Sequence, residues 1–178
     1  MSGKMVRHRY AYRSASRGSV IVIVVRDSVK PGKIDYVVAL VDLWKAGLKR
    51  CFGKFNAKAR ELEKIFDGFE KDGIVIRPIA PKEARWIIKE GIRIREFLNL
   101  SIPSKCKKLL PIVGDLDSVK ITGSIYKCFK CMKGELSPEI DQFIKKVALR
   151  EIKEGIVGTP DEMRIYFLCD KCKGLTKR

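Results

Sequence analysis

Two pairs of cysteines carry the most definite chemistry in this chain, Cys128-Phe129-Lys130-Cys131 and Cys169-Asp170-Lys171-Cys172. Two intervening residues let both sulfurs of a pair turn toward one ion while nearby amides point at them. Two such turns supply the four thiolates that a structural zinc prefers. Each pair follows a short β-like run and precedes a lysine and a glycine, Lys133-Gly134 and Lys173-Gly174. The expectation is one structural Zn2+ held by Cys128, Cys131, Cys169 and Cys172. An iron–sulfur cluster accepts the same four thiolates, and two disulfides are open to a thermophile's protein. A thioredoxin-type redox pair instead needs a single CxxC leading into a helix. Cys51 and Cys106 stand apart among basic residues and read as buried thiols or as one disulfide.

Over residues 125–174 the construction resembles the zinc-ribbon class of zinc knuckles. That resemblance implies a metal-binding module and no particular activity. The interval between the pairs holds the clearest helix of the chain, 137–154, opened by Ser137-Pro138-Glu139 and stopped by Gly155, so this helix must insert beside the site.

Catalytic groups are scarce. The one histidine, His8, leaves no fixed base for a serine or cysteine nucleophile. A closed four-thiolate shell has no open position for an activated water. Asp115 and Asp117, with Asp42 a third candidate, could hold magnesium as in a nuclease, although Gly114-Asp115-Leu116-Asp117 also reads as an ordinary turn. No catalytic residue is expected, and the chain is expected not to be an enzyme.

Charge points to a partner instead. With 38 Lys plus Arg against 21 Asp plus Glu, the net charge is +17 and the pI is near 9.8. Such a field favours a polyanion, and nucleic acid is the commonest one in a cell. The charge is also segregated, which favours a phosphate footprint over plain solubility. Lys4, Arg7, Arg9, Arg13 and Arg17 lie in an acid-free start of the chain. Lys45, Lys49, Arg50 and Lys54 precede the next acid, Glu61, and Lys105, Lys107 and Lys108 share another acid-free stretch. Tyr10, Tyr12 and Phe52 could stack on unpaired bases. Asparagine and glutamine are nearly absent while Ile, Val, Lys and Glu abound, a thermophilic composition.

The elements that must position these residues alternate in type. Residues 1–18 read as a basic flexible arm. Residues 20–26 and 34–41 form a hairpin around Lys30-Pro31-Gly32-Lys33. Asp42 caps a short helix to residue 50, Asn56 caps a second over 57–69, and 74–79 is a strand. Pro81 opens a long helix to about residue 98, 101–114 is irregular, and 119–127 and 164–168 are strands delivering the two cysteine pairs. The fold class is α+β: a small sheet with packed helices and a C-terminal zinc-ribbon-like module with a helical insertion. The domains are the arm, a body over 19–118 and the module over 119–178. Residues 20–117, with Val41-Asp42-Leu43-Trp44-Lys45-Ala46-Gly47-Leu48-Lys49 after two strands, also resemble an uncharacterised prokaryotic protein group that implies no activity.

Neither a membrane span nor a signal peptide is expected, because the apolar runs are far short of ~20 residues. The sequence thus points to a cytoplasmic, non-enzymatic RNA-binding zinc protein, associated with the ribosome or another ribonucleoprotein. The expected partners are nucleic acid, with RNA and above all ribosomal RNA preferred, and ribosomal proteins; the alternatives are a DNA-binding factor and a metal-dependent nuclease using Asp115 and Asp117.

Overall fold

The computed structural model describes residues 9–16, 18–128, 131, 134–155 and 168–174. Lys4, Arg7, Arg17 and all but the end of the strand expected at 164–168 lie outside them.

Five strands form one antiparallel sheet: β1 (Arg9–Ser14), β2 (Ser19–Asp27), β3 (Ile34–Asp42), β4 (Gly47–Ala57) and β5 (Ile76–Ile79), in the order β4-β3-β2-β1-β5. The hairpin of β2 and β3 is at the centre, where β-branched residues can bury both faces. Val20, Val22 and Val24 pair with Val41, Ala39 and Val37 on one face, and Ile23 and Val25 pair with Val38 and Tyr36 on the other.

Several elements differ from the sequence expectation. Residues 9–14 are not arm but β1, whose register puts Ala11 against the buried Val24. The helix expected over 42–50 is a tight turn followed by β4. Asp42 does cap, but its Oδ1 accepts from the N–H groups of Trp44 and Lys45 within the turn. Gly47 then redirects the chain at φ +67°, with a Cβ there lying 2.2 Å from the Gly91 carbonyl oxygen. The stretch expected to be irregular contains a helix, because Pro103 sits at its N-cap and Pro111 only in its last turn.

Helices cover the two faces unequally. On one face α1 (Ala59–Lys71) is the only helix among the described residues, touching the sheet through Leu62, Ile65, Phe66 and Phe69, and it carries the chain from β4 across to β5. On the other lie α2 (Pro81–Phe97) and α3 (Ser104–Val113). The strand expected at 119–127 does not form; only Lys127 makes an isolated bridge, to Glu135. The helix expected at 137–154 is α4 (Pro138–Glu154), with Ser137 accepting from the Ile140 N–H and Gly155 closing it in the left-handed conformation. A short α5 (Asp170–Gly174) carries the last cysteine.

The main core includes residues from both sides of position 118. Tyr126, Cys128, Leu136, Ile144, Ala148 and Cys172 belong to the same cluster as Val41, Leu48, Ile88 and Ile94. No helix among the described residues is long and apolar enough to cross a membrane.

Candidate metal centre and basic surface

The four cysteines expected to bind metal come together. The sulfurs of Cys128, Cys131, Cys169 and Cys172 all lie within 4.8 Å of one another, and those of Cys131 and Cys169 are 3.9 Å apart. A tetrahedron built on zinc–sulfur bonds of ~2.3 Å has edges of about 3.8 Å, so one ion fits the set. Among the described residues, no other three or more potential ligands converge in this way. None of the six cysteines is joined in a disulfide.

Local backbone shapes the site. The first knuckle closes on itself through Cys128 N–H to Gly134 O (2.8 Å), and Gly134 N–H donates to the Cys131 sulfur (3.2 Å). A Cβ at Gly134 would stand 2.5 Å from the Cys169 sulfur and 3.2 Å from that of Cys131. The glycine after the first pair is therefore what lets the second pair approach. In the second knuckle, Cys172 N–H donates to Cys169 O. Without a cation, burial and the three surrounding thiols push the Cys172 thiol up to about 12. Four sulfurs this close cannot all ionise unless a positive ion joins them.

Polar groups of α4 tie this centre to the body. The Asp141 carboxylate accepts from the Ile125 and Tyr126 N–H groups, fixing the approach to Cys128. Burial raises its pKa despite those bonds. Tyr126 is fully buried, edge-on to Phe97, and its hydroxyl donates to Lys45 O. Glu151 pairs with Lys45 in the interior. By composition alone, Asp141 and Glu151 read as solvated charges on a helix of mixed sign. The spacing Asp141, Ile144, Ala148, Glu151 follows one helical stripe, and that is the signal in the sequence of their burial.

The basic residues divide by environment. Lys45 leaves the expected nucleic-acid footprint, being buried against Glu151. Arg13 donates to Glu83 and to the Ser14 and Ser16 carbonyls, and Arg9 lies against Gly114. Lys54 is exposed but paired with Glu61. Lys49 is half-buried, while Arg50, Lys105, Lys107 and Lys108 are exposed. Tyr12 packs edge-on against Phe66, which makes it core rather than a stacking platform; Tyr10 and Phe52 remain exposed.

Asp115 and Asp117 sit in a turn. Asp115 Oδ1 accepts from the Asp117 N–H, and the Ser118 hydroxyl donates to the Asp115 carbonyl. Asp42 is engaged in its own turn at Trp44 and Lys45. Cys51 on β4 and Cys106 on α3 meet as buried thiols; burial pushes both up.

No known protein family, curated protein or solved structure matches the chain. Nothing in those comparisons supports a link between residues 20–117 and the uncharacterised prokaryotic group. The cysteine centre is thus the firmest functional feature, four ligands placed so that they could hold one metal ion.

Proposed function

We propose that this is a non-enzymatic RNA-binding protein of ribosomal or other ribonucleoprotein particles, with one zinc ion bracing its C-terminal part. The observation that carries the reading is the charge on α3. Lys105, Lys107 and Lys108 occupy its first half, no acid lies in its first turn, and no side chain caps it. Cations at a helix N-terminus oppose the macrodipole, so local stability alone would not select them there. Exposed phosphate-binding charge is a reason to keep them.

The zinc assignment is supported by the four-sulfur geometry and by the closed, protein-only ligand set, which suits a structural role. The non-enzymatic assignment is supported by the Asp115 carboxylate being occupied in its own turn.

Co-sedimentation with ribosomal particles over a salt series tests the reading. Retention at low salt that falls steeply as salt rises is the expected result. Failure to bind particles or RNA at low salt would overturn it, and tighter binding to DNA duplexes than to RNA would move the protein to the DNA-binding class. Magnesium-dependent cleavage of RNA that is abolished by Asp115→Ala with Asp117→Ala would refute the non-enzymatic assignment.

A further inference from the structure

Among the described residues α1 is the only helix on its face of the sheet, and they leave part of that face uncovered. α1 packs over the cross-strand row of Tyr12, Ile23 and Val38. The next row, in which Ile21 pairs with Leu40 and Leu40 with Arg50, lies beyond the Phe69 end of the helix. It floors a trough with two adjoining hollows that share Ile21 and Leu40. One, of about 120 Å³, is bounded by Arg50, Phe52 and Phe69. The other, of about 460 Å³, opens toward Ser16, Ser19 and Val75.

The chemistry of the lining is amphipathic in a particular way. Its floor is aliphatic, Phe52 is 38% exposed at one end, and serine side chains line the other. Among the described residues of either lining, Arg50 is the only charged one and none is a carboxylate. Arg50 makes no ion pair among the described residues, unlike Arg13, Arg26 and Lys54. Two copies of a chain of charge +17 would repel across such a surface, and an apolar peptide would leave the guanidinium without a partner. A nucleotide matches all three parts: a flat apolar base, an anionic phosphate and a hydroxyl-bearing sugar.

We propose that this trough holds unpaired RNA, with a base stacked on Phe52 and the neighbouring phosphate at Arg50. The proposal rests on the protein being an RNA binder. Stacking needs a free base face, so the trough discriminates single strands from duplex, whereas the lysines of α3 do not.

The test measures binding of a fluorescein-labelled single-stranded RNA of about ten nucleotides, and of its blunt duplex, by zinc-loaded full-length protein. Phe52→Ala should weaken single-strand binding by about ten-fold and leave duplex binding unchanged, on the scale of one base stack removed. Phe52→Trp should restore it, with indole fluorescence quenched as the single strand is added. Arg50→Gln should weaken single-strand binding and flatten its salt dependence by about one phosphate's share. Circular dichroism checks that each variant is folded. Wild type that binds the single strand while Phe52→Ala binds it equally well, or Phe52→Trp that binds without quenching, would overturn the trough alone. Wild type that binds neither RNA would overturn the RNA-binding reading and the trough with it.

Discussion

Lys45 and Glu151, 106 positions apart in the chain, form an ion pair inside the protein, each side chain only 5% exposed. One end belongs to the turn that Asp42 caps between β3 and β4, the other to α4 beside the cysteine centre. The Tyr126 hydroxyl reaches the carbonyl of the same lysine. The turn is therefore the socket into which the cysteine-bearing part is fixed.

Breaking that pair on one side leaves an uncompensated buried charge. Lys45→Met should cost about 3–5 kcal/mol of stability, while Lys45→Met combined with Glu151→Leu should recover most of it, since a buried pair is often replaceable by apolar groups of similar size. Urea unfolding of wild type, Lys45→Met and the double variant measures this. A Lys45→Met protein as stable as wild type would mean that the pair is solvated and does not anchor α4.

The metal centre makes a sharper demand on one glycine. Gly134→Ala places a methyl group 2.5 Å from the Cys169 sulfur, so the second knuckle must retreat and zinc affinity should fall at least about ten-fold, as for other disturbances of a ligand shell. Cys128→Ser and Cys172→Ser should go further and unfold the C-terminal part, because structural zinc binding of ~10 kcal/mol or more is coupled to folding. Elemental analysis and competition with a chromophoric chelator give the readouts. Protein that carries no metal ion, or a Gly134→Ala variant that holds zinc as tightly as wild type, would count against the centre.

What could be read from the sequence tracks how local the determinants are. The hairpin 20–41 was legible because β-branched runs flank a Pro-Gly turn, and α4 because Ser137, Pro138 and Gly155 mark both of its ends. The four ligands were legible because each CxxC is a local geometric unit. The helix expected over 42–50 failed although Asp42 does cap, because Gly47 is held by the close approach of α2, which no local pattern reports. The strand expected at 119–127 failed because the N–H groups of Ile125 and Tyr126 go to the Asp141 carboxylate instead of a neighbouring strand. The trough at Arg50 was hidden for a related reason. With a helix expected through residue 50, Arg50 and Phe52 had no sheet face to share.

Two buried carboxyl groups should give stability opposite pH dependences. Burial works to raise Asp35, but the Asn56 N–H and the Arg26 guanidinium, among its hydrogen-bond donors, outweigh it and hold the group below its ordinary value. Its contribution is thus complete above the unfolded value of about 3.9 and is lost as pH falls through the folded value. Burial raises Glu90 against the opposing pull of Arg93 and Lys127, and its Oε1 has no hydrogen-bond partner among the described residues. Stability is therefore lost as pH rises from about 4.3 through the folded value of Glu90. Urea unfolding at a series of pH values should show Asp35→Asn approaching wild type in acid, and Glu90→Gln gaining on wild type toward neutral pH. Parallel curves for either variant would mean that the corresponding carboxyl group is not perturbed by folding.

The last prediction separates functional from incidental charge. Replacing Lys105, Lys107 and Lys108 with glutamine should flatten the dependence of log affinity for RNA on log salt by roughly 0.7–0.9 for each phosphate no longer neutralised, with little preference among sequences. Replacing Lys146 and Lys153, exposed on α4 among Glu139 and Glu154, should change the slope much less. Lys145 is unsuitable for that control because its ammonium sits 4.7 Å from the centre of the Phe97 ring. Stability supplies the second readout. Since the α3 lysines oppose the helix macrodipole, removing them should leave thermal stability unchanged or slightly higher while binding falls. A merely structural role would lower both together. Equal slopes for the α3 and α4 variants would show that the charge acts diffusely rather than through α3.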